Sequence, residues 1–180
     1  NRCMKNFLNK LWAYIKKTYV FILITVGLIV VDQVTKLIFD YKNIPVINGV
    51  FSFTWSHNTG AGFSVLEGKT LLLIFITLAF LIFIFIFNYF QKNKNNFYKT
   101  SMALIISGAI GNLIDRIFLG YVRDFLSFDL IHFPIFNFAD SCLTIGIILL
   151  AVFLVFIEPK LSKKKETQTL TETNDKNNID

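Results

Sequence analysis

Four stretches of mostly apolar residues dominate the chain: Thr18–Phe39, Thr70–Phe90, Thr100–Leu119 and Ala139–Ile157. Each is close to the roughly 20 residues that a helix needs to cross the hydrocarbon of a bilayer. In that solvent every backbone N–H and C=O must find its partner inside the segment, which a helix achieves. Hydrophobic residues make up 54% of the chain, above the roughly 45–50% of a soluble domain. The expected fold is therefore an all-α polytopic membrane protein with four transmembrane helices. The first and third stretches are interrupted by polar residues, and those interruptions need an explanation.

The formal charge of +6 would suit nucleic acid or anionic lipid, and its placement decides for lipid. Arg2, Lys5, Lys10, Lys16 and Lys17 precede the first span. Lys92, Lys94 and Lys99 lie between the second and third, and Lys160, Lys163, Lys164, Lys165 and Lys176 follow the fourth. The other two loops hold only Lys42, Lys69 and Arg123. Basic loops stay on the cytoplasmic side, so both termini are expected there. No basic stripe with interleaved aromatics points to nucleic acid. The apolar run after Lys17 has no small-x-small cleavage site and runs into Asp32-Gln33-Val34-Thr35-Lys36. It reads as a retained first span rather than a removed leader.

The chain divides accordingly. Residues 1–17 form a basic cytoplasmic segment, 18–158 the four-helix membrane domain with outer loops 40–69 and 120–138, and 159–180 a polar cytoplasmic tail expected to be disordered. In the first outer loop, Val50–Ser56 alternates apolar and polar residues after the turn signal Asn48-Gly49, which predicts a strand in a small outer sheet. The second loop is aromatic, contains Pro134, and is expected to hold an interfacial half-helix or re-entrant piece. In the third span, Ser107 and Gly111 form a small-x-x-x-small pair that favours close helix contact.

Ionisable groups near hydrocarbon cost roughly 2.5–3.5 kcal/mol each on insertion scales, so each is a functional suspect. Asp32 and Lys36 are one turn apart and can pair. Their roles divide between a structural ion pair and Lys36 holding the outer loop or site. Gly108, Asn112, Asp115 and Arg116 share one broad helix face at about 100° per residue, and that face must meet another helix or a cleft. For Asp115, inter-helix glue and catalysis both stand. Arg116 can offset a nearby carboxylate pair.

Asp124 follows the outer end of the third span and Asp140 opens the fourth, so a hairpin can bring them together. Two facing carboxylates that share a proton form the acid/base pair of an aspartic protease. Taken singly, Asp140 also fits a helix N-cap and Asp124 a solvated loop acid beside Arg123. On position alone these readings stand level.

Other chemistries have less support. His57 and His132 lack metal-ligand spacing, and Cys3 and Cys142 form no C-x-x-C pair. Ser64 lies near His57 without the G-x-S-x-G elbow of a serine hydrolase. No phosphate-binding glycine loop is present.

Five segments, in this order, resemble bacterial lipoprotein signal peptidase, or signal peptidase II. They are Asp32-Gln33-x-Thr35-Lys36, Asn58-x-Gly60-Ala61-x-Phe63-Ser64, Gly111-Asn112-x-x-Asp115-Arg116, Gly120-x-Val122-x-Asp124-Phe125 and Phe136-Asn137-x-Ala139-Asp140-Ser141. Each motif alone is weak; the ordered set on four spans is specific. Gly62 departs from the family's usual alanine. The resemblance covers about Thr18 to Ile157 and makes 18–158 a catalytic domain.

It implies an aspartic endopeptidase of the bacterial cytoplasmic membrane, without metal or other cofactor, with its active site near the outer face. Such an enzyme removes signal peptides from diacylglyceryl-modified prolipoproteins, cutting before the lipidated cysteine. It further implies Asp124 and Asp140 as the catalytic pair. Asn58, Gly60, Asn112, Arg116 and Asn137 would lie around the site, with Asp32 and Lys36 as supports. The implied partners are the prolipoprotein substrate, membrane lipids and globomycin-like inhibitors, with the enzyme monomeric.

Three rivals weigh against this. A transporter or channel subunit would use the intramembrane charges as a path, but no repeat symmetry or broken half-helix pair is evident. A presenilin-type protease would need a Gly-x-Gly-Asp-like motif within a helix. For a scaffold protein the polar faces would be glue alone.

Overall fold

The computed structural model describes residues 2–60, 65–131 and 133–177, with side chains described over 19–60, 65–131, 133–164 and 166–168. Ala61, Gly62, Phe63, Ser64 and His132 lie outside the described residues, as do the side chains of Cys3 and the N-terminal basic residues.

The elements run α1 (Arg2–Phe39), β1 (Asn43–Ile47), β2 (Phe51–Asn58), α2 (Thr70–Phe90), α3 (Asn96–Phe118), β3 (Val122–Phe128) and α4 (Phe138–Val152). A π-helical turn, Phe153–Ile157, leads into α5 (Glu158–Asn177). Four helices are long and apolar enough to cross a membrane: Tyr19–Phe39, Thr70–Phe90, Asn96–Phe118 and Phe138–Gln168. The protein is a multi-pass membrane protein with a small antiparallel sheet at one end of its bundle.

α3 is the central helix: 61% of its apolar window is buried, against 11–17% for the others. It starts where the Asn95 side chain accepts the Tyr98 N–H at 2.9 Å, supplying a partner to one of the helix's unpaired donors. Polar residues in the spans also stay satisfied. Thr25 and Thr77 donate to carbonyls one turn back, at 3.0 and 2.8 Å.

The Ser107/Gly111 pair takes part in the close α3–α4 contact, as expected: Ser107 hydrogen-bonds Cys142 of α4, and a Cβ on Gly111 would lie 3.2 Å from the Ala139 Cβ. A Cβ on Gly108 would meet the α4 backbone at Ala139 O and Leu143 N, and one on Gly146 would come within 2.9 Å of Ile105 N. The backbones come closest at these two glycines, one on each helix. Gly111 also makes room for the Asp32 carboxylate, which a Cβ there would meet at 2.5 Å. Gly111→Ala should therefore lower stability by about 1–3 kcal/mol, the range for overpacking. Thermal unfolding in detergent measures this; an unchanged midpoint would mean that Asp32 packs loosely.

The sheet has the order β1-β2-β3. Gly49, at φ +73°, makes the turn predicted by Asn48-Gly49. Phe39, at the end of α1, stacks on Phe53 and Phe125 with centroids 4.0 and 5.0 Å away, fixing the sheet to the bundle. Of the half-helix or re-entrant piece expected in loop 120–138, no helix is found among the described residues. Val122–Phe128 is a strand that pairs with β2. Its β-branched and aromatic residues complete the otherwise open edge of β2, a partner that local pattern does not reveal. The chain then loops back so that Leu126 bridges Phe136, exchanging N–H···O bonds of 2.8 and 3.0 Å.

The tail also differs from expectation, continuing as α5. Its polar composition cannot build a core, but α4 has already supplied the costly helix nucleus, so extension is cheap. Asn93, in the α2–α3 connection, donates to Ser162 of α5 at 3.0 Å.

Candidate active site

The Leu126–Phe136 bridge brings β3 against the start of α4. Asp124 on β3 is 1% exposed and receives two amides. Asn58 Nδ2 donates to its Oδ2 at 2.9 Å and Asn137 Nδ2 to its Oδ1 at 2.6 Å. A bulge in β2 between Phe53 and Ser56 sets the register in which Asn58 lies opposite Val122, diagonal to Asp124. The solvated-acid reading of Asp124 is therefore set aside, and Arg123 turns away from it.

Asp140 is not the N-cap; Asn137 is. Asn137 Oδ1 accepts the Asp140 N–H at 2.9 Å, and Asp140 Oδ2 accepts the Asn137 N–H at 3.1 Å, closing a capping box. The other oxygen, Oδ1, accepts from Asn112 Nδ2 at 2.7 Å. Asn137 thus holds both carboxylates, that of Asp124 through its side-chain amide and that of Asp140 through its backbone N–H.

The orientation of Asn112 follows from Lys36. An ammonium only donates, so the atom 2.9 Å from Lys36 Nζ is the Asn112 oxygen, and the amide nitrogen must face Asp140. Asn137 Nδ2 also donates to that oxygen, at 3.0 Å. Lys36 also pairs with Asp32 at 2.9 Å and Asp115 at 3.5 Å. The structural-pair and site-holding readings of Lys36 are thus both realised in one side chain.

Asp32 reaches further, accepting the Ala139 N–H at 2.9 Å, where an anion suits the positive end of α4. Asp115 accepts from Arg123 Nη2 at 2.8 Å and from its backbone N at 3.0 Å. These contacts favour the glue reading of Asp115. Arg116 donates to Gly60 O at 3.0 Å, lies within electrostatic reach of Asp140 and Asp124, and leaves its buried Nε without a hydrogen-bond partner among the described residues. Gly60 N in turn donates to Asn58 Oδ1 at 2.9 Å.

Every candidate named from the sequence thus falls in this network. Gln33 and Arg123 are additions. Gln33 donates to Asp32 and to Gly111 O, both at 3.1 Å, and accepts from Arg123 at 3.0 Å. Gln33 sits in the polar interruption of the first span, which was the available signal; Arg123 gave none beyond its charge.

Three cavities reach the aspartates. One of about 310 Å³ is lined by Asn112, Arg116 and Asp140 together with apolar Phe133, Leu143 and Ile147. Another, about 250 Å³, has Asp124 in its wall. The third, of about 290 Å³, is an apolar recess where Phe128, Phe133, Phe136 and Ile145 surround the approach to Asp140. Burial, and next the negative charge of Asp140, push the Asp124 carboxyl up to about 7; the Asn58 and Asn137 amides pull the other way without offsetting this. Two buried carboxylates that repel each other's charge suit a pair that shares one proton, one member acting as acid and the other as base. Among the described residues no three His, Cys, Asp or Glu side chains gather as a metal-holding set.

The fold and this polar centre define a polytopic membrane enzyme. A solved bacterial membrane enzyme superposes with a TM-score of 0.70 at 37% identity, covering 76% of this chain and 87% of that one. A second superposes at 0.68 with 36% identity over 77% and 94%. The family model described as signal peptidase (SPase) II matches residues 24–156. The lipoprotein signal peptidase of Lactobacillus johnsonii is 37% identical over 149 residues, 80% of this chain and 97% of its own. That of Clostridium tetani is 43% identical over 142 residues, 74% and 90%. The chain belongs to the signal peptidase II family, and is thus a protease that removes signal peptides.

Proposed function

We propose that the protein is an aspartic endopeptidase that cuts diacylglyceryl-modified prolipoproteins immediately before the lipidated cysteine, with Asp124 and Asp140 as its catalytic pair. The observation that carries this reading is the single Asn137 side chain and backbone joining two otherwise opposed carboxylates at the mouth of these cavities. Like charges this close do not both ionise easily, so the pair holds one proton. Asp140, with the Asn112 and Asn137 donors at a helix start, is the ionised member. Asp124 is the acid.

Asp140 takes a proton from a water between the two, and the oxygen attacks the carbonyl preceding the cysteine. The Asp124 hydroxyl donates to the carbonyl oxygen as it becomes negative. The intermediate collapses as the C–N bond breaks: Asp140 passes the proton it took from water to the departing cysteine amine, and the hydroxyl formed from the carbonyl oxygen returns its proton to Asp124. Asn58, Gly60, Asn112, Arg116 and Asn137 position the pair and the peptide, the Arg116 Nε being a donor available to a substrate carbonyl. Asp32 and Lys36 support them.

Residues 18–158 form the catalytic domain, with 1–17 and 159–180 cytoplasmic and the site near the outer face of the bacterial inner membrane. Support comes from the lysines Lys92, Lys94, Lys160, Lys163 and Lys164, which cluster at the Asn93–Ser162 end of the bundle, the end remote from the sheet. Globomycin-like peptides would compete for the same cavities, and one chain suffices for the site.

The test is cleavage of a diacylglyceryl prolipoprotein by the purified protein in detergent across pH. The product should begin with the lipidated cysteine by mass spectrometry. Asp124 must be protonated, so kcat/KM falls as pH rises through about 7, and it falls again in acid as the base is protonated. A rate climbing steadily from roughly pH 4 to 9 would contradict this two-carboxyl scheme.

A further inference from the structure

Resting on the proposed peptidase reading, the geometry points to Glu67 as a specificity-determining residue. We infer that it favours a basic over an acidic residue directly after the lipidated cysteine of the substrate.

Two of the cavities differ in chemistry and share Asn58, Pro134 and Ile135 as a common wall. The larger opens among Leu143, Thr144 and Ile147 of α4 and contains Asp140. The smaller lies on the sheet side, where Ser56, His57, Thr59 and Glu67 line the wall together with Asp124. A substrate whose scissile bond lies between the aspartates can place one flank in each, with the apolar recess beside Asp140 left for acyl chains. Before the cut comes an apolar signal helix, matched to the α4 side. After the lipidated cysteine comes a polar chain that leaves for water, matched to the sheet side.

Within that polar cavity Glu67 is the acidic side chain outside the catalytic pair. Of the cations at the site, Arg116 lines the other cavity and Lys36 is buried behind Asn112, lining neither. His57 is the remaining titratable group among the described lining residues, and it packs between Trp55 and Tyr121 with centroids 4.2 and 3.8 Å away. The backbone around Glu67 is strained. Leu66 (φ +61°) and Gly68 (φ +75°) both lie in the left-handed region, unusual for a leucine. The Lys69 N–H closes the turn on Leu66 O at 3.0 Å. Strain held in this way marks a residue whose position matters. The turn presents Glu67 to the cavity that would take the substrate's first residues after the cysteine.

The experiment uses three lipidated prolipoprotein substrates that differ only in the residue after the cysteine: Lys, Ser or Glu. They are turned over by the parent, Glu67→Gln and Glu67→Lys at low salt and at about 0.5 M salt. Glu67 is exposed, so its effect is screened. The parent should prefer Lys to Glu by about five- to tenfold in kcat/KM at low salt, shrinking at high salt. The ratio should approach unity in Glu67→Gln and invert in Glu67→Lys. Because it is taken within each variant, a general loss of activity cancels. Equal turnover of the Lys and Glu substrates by the parent, or a preference that survives in Glu67→Gln, overturns the inference. No cleavage of the Ser substrate by a folded parent would instead overturn the peptidase reading beneath it.

Discussion

Asp124→Asn and Asp140→Asn should each lower prolipoprotein cleavage by about a thousandfold or more while leaving the chain folded. General acid–base groups contribute roughly 10²–10⁴-fold each, and members of a shared-proton pair fail together. An amide can neither take a proton from water nor give one to the departing amine. The exchange is nearly isosteric, so the structural cost is confined to hydrogen bonds. At Asp124 both oxygens accept, from Asn58 and Asn137; an amide there turns one acceptor into a donor facing a donor. At Asp140 the same conflict arises against Asn112 or the Asn137 N–H. Each mismatch costs about 1–3 kcal/mol, partly offset by removing a like charge. Turnover and thermal unfolding measured on the same detergent preparations separate the two effects. A well-folded Asn variant that keeps parental turnover would remove the pair from the mechanism.

The scaffold was legible because hydrocarbon leaves a chain few choices. Long apolar runs had to be helices, and the alternation in Val50–Ser56 became β2. The carboxylates stood out because they are costly where they lie. What escaped notice depends on contacts distant in sequence. β3 forms because β2 offers it an edge and Phe136 closes it from the far side, neither of which Gly120–Phe138 announces. Asn137 takes the capping role that Asp140 could have filled, and the two residue types are near equals at that position. The division of labour among acids was equally hidden. Asp115 and Asp124 look alike in sequence, but Arg123 turns its side chain onto Asp115, leaving Asp124 to the amides of Asn58 and Asn137.

Lys36→Met should destabilise the protein by about 3–5 kcal/mol, the usual result of removing one partner from a buried ion pair. Lys36 is fully buried and pairs with Asp32 and Asp115. Arg123 then remains as the nearby cation for two buried carboxylates, and it is already committed to Asp115. Adding Asp32→Asn removes the orphaned charge and should recover part of the loss, a coupling readable by a double-mutant cycle of thermal unfolding. Turnover should not recover in step. Without the ammonium, the Asn112 oxygen keeps only the Asn137 amide as donor, and the Asn112 nitrogen is held less firmly against Asp140. Stability and catalysis therefore diverge in the double variant if Lys36 positions the site as well as balancing charge. Lys36→Met as stable as the parent would mean that these carboxylates are solvated or protonated in the native protein. A double variant that regains both stability and full turnover would reduce Lys36 to a counter-ion.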